Sequence, residues 1–206
     1  MRKIDKGEPI PSFIEFVRQN HPTQWEDTKD VSHTWREYIL EFEQHRLSGY
    51  TEKPVRLEKS HIDHFRKQKL FNTLVFDWNN YIVDSIDETY GAKYKDKFVK
   101  TKTDNEKLIN PVTEDASRFF KYELNGKIEV ADSLSSQNRE RAIYTIKAFN
   151  LNEASLVDRR RVIMLTIMDY YKDLSDDLIL EALAEEGFTS VVEQLLRERK
   201  TVEDSL

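Results

Sequence analysis

The chain has 206 residues, 38% of them hydrophobic and 11% aromatic, with 34% charged and a formal net charge of −6. This length suits one ordinary domain, or a small module with a helical extension, and the aromatic content argues against disorder. The acidic balance argues against solitary binding to a polyanion, and the lack of cysteine removes disulfides, thiol nucleophiles and cysteine zinc sites.

The opening residues, MRKIDKGEPIP, carry no apolar run behind their basic residues, so no signal peptide is expected. No window approaches the ~18 apolar residues of a membrane span. The expectation is a cytoplasmic protein that does not engage a membrane.

Residues 1–48 read as an N-terminal helical segment. PSFIEFVRQN places Ser12 as a cap and Phe13, Phe16 and Val17 on one side. SHTWREYILEFEQHRLSG sets Trp35, Tyr38, Ile39 and Phe42 at helical spacing, with Gly49 as the stop. Residues 49–100 change character. KPVRLEKSHIDHF reads as a strand or short hairpin, and an apolar run meets the turn signal Asp77-Trp78-Asn79-Asn80 before Tyr81-Ile82-Val83. A helix from about Asp84 completes a strand–turn–strand–helix unit.

Residues 101–135 are a connecting region with one hairpin, signalled by Asn125-Gly126 in RFFKYELNGKIEV. Residues 136–206 are helical. Ala142, Ile143, Ile146 and Phe149, then Leu156, Ile163, Ile167 and Tyr170, mark two stripes, and two shorter helices follow, with Gly187 ending the first and Thr189 capping the second. The sequence predicts an α+β fold, mostly helical.

The chemistry concentrates in KSHIDHF, with two histidines and an aspartate within four residues, His61-Ile62-Asp63-His64. Strand alternation sends His61 and Asp63 to one face and His64 to the other, and a bend after Asp63 brings Asp63 and His64 over one site. A carboxylate on a hard divalent metal beside a neutral imidazole is a hydrolytic arrangement: the metal stabilises charge on a phosphate and the imidazole takes a proton from water. The plain alternative is a polar strand end whose histidines only form hydrogen bonds. Arg66, Lys67 and Lys69, and Lys93, Lys95 and Lys97 in YKDKF, flank the stretch; they are either a solvated face or contacts to a nucleic-acid backbone. DRRR at residues 158–161 reads as surface or interface.

SHIDHF followed sixteen residues after His64 by Asn80 in DWNNYIVDS, then by YGAKYKDKF, resembles the HNH endonuclease motif. The wider set of SGYTEKP, SHIDHFRKQ, DWNNYIVDS, INPVTEDASRFFKYELNGKI and RAIYTIKAFNLNEASLVDRRR resembles the HNH subunits of Septu-type and retron-associated anti-phage defence systems. The resemblance implies a small ββα-metal (HNH) core between N-terminal helices and a C-terminal helical region that docks on a partner. It implies His64 as the general base, Asn80 as the residue that pins the loop, and Asp63 as a ligand of Mg2+ or Mn2+. The third motif position falls on Thr89 by a nine-residue count from Asn80, or on Lys93 with a small insertion; Asp84, Asp87, Glu88 or His61 stands as the replacement ligand. Relatives carry two Cys-x-x-Cys pairs that bind zinc. The matching positions here are Ser48, Thr51, Ser85 and either Glu88 or Tyr90, so no structural zinc is expected and packing of Tyr50, Trp78 and Tyr90 is the expected substitute. The implied partners are an ATPase subunit of the same system and a DNA or RNA substrate, a retron nucleic acid among the candidates. The alternative is a degenerate HNH-fold adaptor that docks on the ATPase without cleaving.

Overall fold

The structure is a computed structural model that describes the backbone of residues 1–203 and the side chains of residues 1–201. The segment expected to run to residue 206 therefore ends outside the described residues. Pro11 opens α1 (Pro11–Asn20), where its missing N–H belongs to a turn that leaves such groups unpaired anyway. Ile10 is the extended residue before it, and Ser12, expected as the cap, lies inside the helix. α2 (Ser32–Tyr38) runs directly into a π-helical turn, Ile39–Glu43. Left-handed backbone at His45 and Arg46 follows, ahead of the expected stop at Gly49. The wider π turn shifts the helical register. Trp35, Ile39 and Leu40 are buried, whereas Phe42, expected on the same stripe, is 69% exposed.

β1 (Ser60–His64) pairs antiparallel with β2 (Tyr81–Ser85), in a register from Ser60 opposite Ser85 to His64 opposite Tyr81. α3 (Gly91–Phe98) begins seven residues beyond Asp84, the expected start. An aspartate turn delays it: the Asp87 carboxylate accepts from the Thr89 N–H at 2.8 Å and hydroxyl at 2.6 Å. A short α4 (Lys102–Glu106) follows. β3 (Phe120–Tyr122) and β4 (Ile128–Val130) form the second hairpin, turning through Asn125-Gly126 with Gly126 at φ 84°. The chain closes with α5 (Ser136–Ala148), α6 (Ala154–Tyr170), α7 (Asp176–Leu183) and α8 (Thr189–Glu203). Ser135 and Ser175 cap α5 and α7 by accepting from Asn138 and Leu178 N–H groups. The fold is thus α+β and mostly helical, with two small antiparallel sheets. Among the described residues no helix is long and apolar enough to cross a membrane.

The β1–β2 hairpin separates two apolar cores. Tyr81 and Val83 face Phe13, Trp35, Ile39 and Trp78 from the N-terminal helices. Ile82 faces the larger core, built from Tyr50, Phe65, Phe149, Leu156, Ile163, Phe188 and Val192 among others. That core draws on all four sequence segments, so the C-terminal helices bury one face against the hairpin unit. Their outer faces leave Val162, Leu165, Met168, Tyr170 and Leu178 exposed. Within DRRR, Arg160 is buried, contrary to the surface reading. Its guanidinium donates to the carbonyls of Gly126 and Leu151 at 2.6 and 2.8 Å, tying α6 to the second hairpin. Helical fanning of adjacent arginines sends one inward while its neighbours face solvent.

Hydrogen bonds join Ser48 to Thr51, two of the positions that match the zinc pairs, and to Asp84, the neighbour of a third. The Ser48 hydroxyl accepts from the N–H groups of Tyr50 and Thr51 and donates to the Asp84 carboxylate. The other Asp84 oxygen accepts from Ala92 N–H at 2.6 Å, at the start of α3. Gly91 is required there: its φ is 68°, and a Cβ would lie 2.2 Å from that oxygen. The expected trio of Tyr50, Trp78 and Tyr90 does not form, because Trp78 belongs to the other core. Tyr50 instead stacks on Phe149 at 4.2 Å, and the Tyr90 hydroxyl accepts from Lys53.

Burial pushes the Asp84 carboxyl up from 3.8 to about 6, against the pull of its hydrogen bonds. A folded-state value raised in this way stabilises the protein fully below pH 3.8 and ceases to do so as pH rises through about 6. We predict that urea unfolding of Asp84→Asn against wild type shifts by about 3 kcal/mol in the variant's favour across that window. A pH-independent difference would contradict the assignment.

Candidate functional site

β1, α3 and the segment after β1 enclose a cleft of about 550 Å³, walled by His61, Asp63, His64, Lys67, Gln68, Lys69, Lys93, Asp96 and the Trp25 ring. Trp25 comes from the 3-10 turn Trp25–Thr28 and packs edge-on to the His64 ring at 4.7 Å. Tyr81 packs on the same ring at 5.0 Å.

The tautomer of His64 follows from its partners. Nε2 lies 2.9 Å from the Val75 carbonyl oxygen, which can only accept, so Nε2 carries the proton. The same oxygen also accepts from the Tyr81 hydroxyl at 2.7 Å. Nδ1 therefore keeps its lone pair and accepts from the Gln68 amide at 3.0 Å. Burial lowers the His64 pKa below 6.5, outweighing the hydrogen bond to Val75 and the charge of Asp63. The ring is neutral and basic at neutral pH. His61 is also held below 6.5 by burial, and its Nδ1 is buried without a hydrogen-bond partner.

Asn80 closes the loop between the strands. Its Oδ1 accepts from Arg66 N–H at 2.6 Å, and its amide donates to the carbonyls of Arg66 and Leu74 at 3.0 and 2.9 Å. This fixes the backbone on both sides of the segment that carries Gln68 and delivers the Val75 carbonyl.

Asp63 is met by α3. The Lys95 ammonium lies 2.5 Å from Oδ2 and donates to the His64 carbonyl at 3.2 Å. The Tyr50 hydroxyl donates to the same Asp63 oxygen. Burial alone would raise the Asp63 carboxyl, but the Lys95 charge and these hydrogen bonds hold it below 3.8. Lys95 is fully buried, which corrects its reading as a surface contact to nucleic acid.

The other expected residues divide. Lys67, Lys69 and Lys93 line the cleft, although Lys67 also donates to the Asp96 and Val99 carbonyls at the end of α3. Arg66 is turned away, bonded to Asn105 and resting over the Phe65 and Phe71 rings. Lys97 lies outside the cleft and pairs with Glu88 at 2.6 Å. Asp87 and Thr89 lie in their own turn and do not line the cleft. His61 and Asp63 share the cleft, but among the described residues no group of three or more His, Cys, Asp or Glu side chains could hold a metal ion. A divalent cation does not fit this donor set: Asp63 is already paired with a buried ammonium, and hard cations need several oxygen ligands. Roles that sequence reasoning did not supply are those of Trp25, Tyr50 and Gln68, and of Lys95 as the partner of Asp63. Lys95 shares the buried face of α3 with Gly91 and Ala92, whereas the larger apolar residues Tyr94 and Phe98 lie on another face, so the sequence pattern does not single it out.

We predict that Asn80→Ala removes three hydrogen bonds and costs about 2–4 kcal/mol. Thermal unfolding should then begin roughly 5–15 °C lower. An unchanged melting temperature would show that the loop is held by other contacts.

Comparison with protein-family models and with curated proteins gave no match to this chain.

Proposed function

We propose that this chain is an HNH-type endonuclease that hydrolyses phosphodiester bonds in DNA or RNA, working in the cytoplasm as the effector of an ATPase-containing anti-phage defence complex. In this reading β1, β2 and α3 are the ββα unit of the family, set between N-terminal helices and a C-terminal helical region. The observation that carries it is the His64 ring, neutral and fixed by Val75, with the Nδ1 lone pair toward Gln68.

A water that displaces the Gln68 amide meets Nδ1 as a base. As the water oxygen bonds to phosphorus, its proton passes to Nδ1 and His64 becomes an imidazolium, which Asp63 and the Val75 carbonyl stabilise. The bond from phosphorus to the leaving oxygen breaks, and that oxygen takes a proton from a lysine ammonium or from water. Lys69 and Lys93 at the cleft wall offset the charge on the phosphate oxygens. General-base help of this kind is worth about 10²–10⁴ in rate. The lysines engage the backbone phosphates, which both nucleic acids share.

The ATPase partner is supported by two features. The net charge of −6 disfavours tight solitary binding to a polyanion. The exposed Val162, Leu165, Met168 and Leu178 on the outer faces of α6 and α7 offer apolar surface for docking. A second reading, the non-cleaving HNH-fold adaptor, is favoured by one observation: the Lys95 ammonium on the carboxylate that would hold a metal.

Single-turnover cleavage of labelled DNA and RNA, with the partner present, separates the two readings. His64→Ala should lower the rate by about a hundredfold or more while the protein stays folded. The wild-type rate should rise with pH along a limb centred below 6.5 and then level, because the base must be deprotonated. A wild-type protein without cleavage would favour the adaptor, and a His64→Ala variant at full rate would sink the assignment of His64 as the base.

A further inference from the structure

The cleft holds more positive than negative charge. Lys67, Lys69 and Lys93 line it and Lys95 lies behind Asp63, against the two carboxylates Asp63 and Asp96. Asp96 is itself 3.6 Å from the Lys67 ammonium and 3.7 Å from that of Lys95. Neither carboxylate is left to attract a dication, and both histidines are neutral nitrogen donors. The field of this cleft suits an oxyanion, a phosphate above all.

Lys95 is placed, not stray. Its side chain is fully buried, its ammonium bridges the Asp63 carboxylate and the His64 carbonyl, and the Tyr50 hydroxyl completes the same carboxylate oxygen. Its helix is anchored by the Asp84 carboxylate on Ala92 N–H and by Gly91 N–H on the Phe149 carbonyl at 2.8 Å. Helix, strand and base are thereby joined through one ammonium.

We infer that the Lys95 ammonium is the resident cation of the β1–β2–α3 unit, so that the site binds its phosphate group without a divalent metal. Lys95 acts as a positioning residue: it neutralises Asp63 and holds the His64 backbone, while the cleft-wall lysines take the charge of the substrate. The inference rests on the preceding reading only in taking that substrate group to be a phosphate.

Calorimetric titration of Mn2+ into the full chain tests it without reference to cleavage. Wild type should show no Mn2+ site that depends on Asp63, measured against Asp63→Asn. Lys95→Asn, which removes the ammonium and adds an oxygen donor, should bind Mn2+ at least about tenfold more tightly than wild type. A wild-type site of one Mn2+ per chain that Asp63→Asn abolishes would overturn the inference, whatever the behaviour of Lys95→Asn. Binding that survives Asp63→Asn lies elsewhere and leaves the assignment of Lys95 standing. Far-UV circular dichroism on the same samples identifies the folded variants, and only those decide the result; if Asp63→Asn unfolds, the wild-type titration alone decides, with one Mn2+ per chain overturning the inference and none supporting it.

Discussion

A carboxylate buried on a strand needs a counter-charge, and here a helix supplies it. Asp63 is 4% exposed and Lys95 is not exposed at all. Taking both charges out of water is expensive, and removing one partner alone strands the other. The pair therefore constrains everything that delivers it. α3 must pack against β1 at the depth of one lysine side chain. Gly91 must have no Cβ, because the helix start presses on Asp84. Tyr50 must stack on Phe149 so that its hydroxyl reaches the carboxylate. The turn at Ser48 must hold Asp84, which in turn accepts from the Ala92 N–H in the first turn of α3.

The same pair sets the chemistry of the cleft. Lys95 also holds the His64 carbonyl, so strand end and helix are fixed together. On the other side of the hairpin the aromatic core of Phe13, Trp35, Trp78 and Tyr81 supports the ring itself, with Trp25 and Tyr81 packed edge-on to the imidazole. His64 is thus clamped between a polar network beneath and an aromatic box beside it. Burial disfavours a charged ring and outweighs the Val75 hydrogen bond and the Asp63 charge, which favour one, while the Lys95 charge acts against it. A base of this kind is preorganised for proton removal.

Parts of this arrangement were legible in the sequence. The hairpin at Asn125-Gly126 follows from local turn chemistry. Of the stretch KPVRLEKSHIDHF, read as a strand or short hairpin, only Ser60–His64 is a strand, and Leu57–Lys59 is a 3-10 turn. The role of Asn80 in pinning the loop came from the motif, which named no partner; its hydrogen bonds go to Arg66 and Leu74. The long-range partners were not legible. Trp25 lies far upstream of His64 and no spacing connects them. Lys95 looked like one cation in a basic run; only the burial of the Gly91–Ala92–Lys95 face separates it from Lys93 and Lys97. Asp87 looked like a ligand, but its carboxylate is spent on the turn that delays α3. Arg160 sat in a charge run and turned out to bridge two carbonyls in the interior.

The central claim is that Asp63 and Lys95 act as one unit, and a double-mutant cycle on unfolding free energy tests it most directly. Lys95→Met alone should destabilise the protein by about 3–5 kcal/mol, because it leaves a buried carboxylate uncompensated. Adding Asp63→Asn should recover part of that loss, so the coupling energy between the two changes should exceed the cost of Asp63→Asn alone. Additive effects, with a coupling below about 0.5 kcal/mol, would show that Asp63 and Lys95 are not paired in solution.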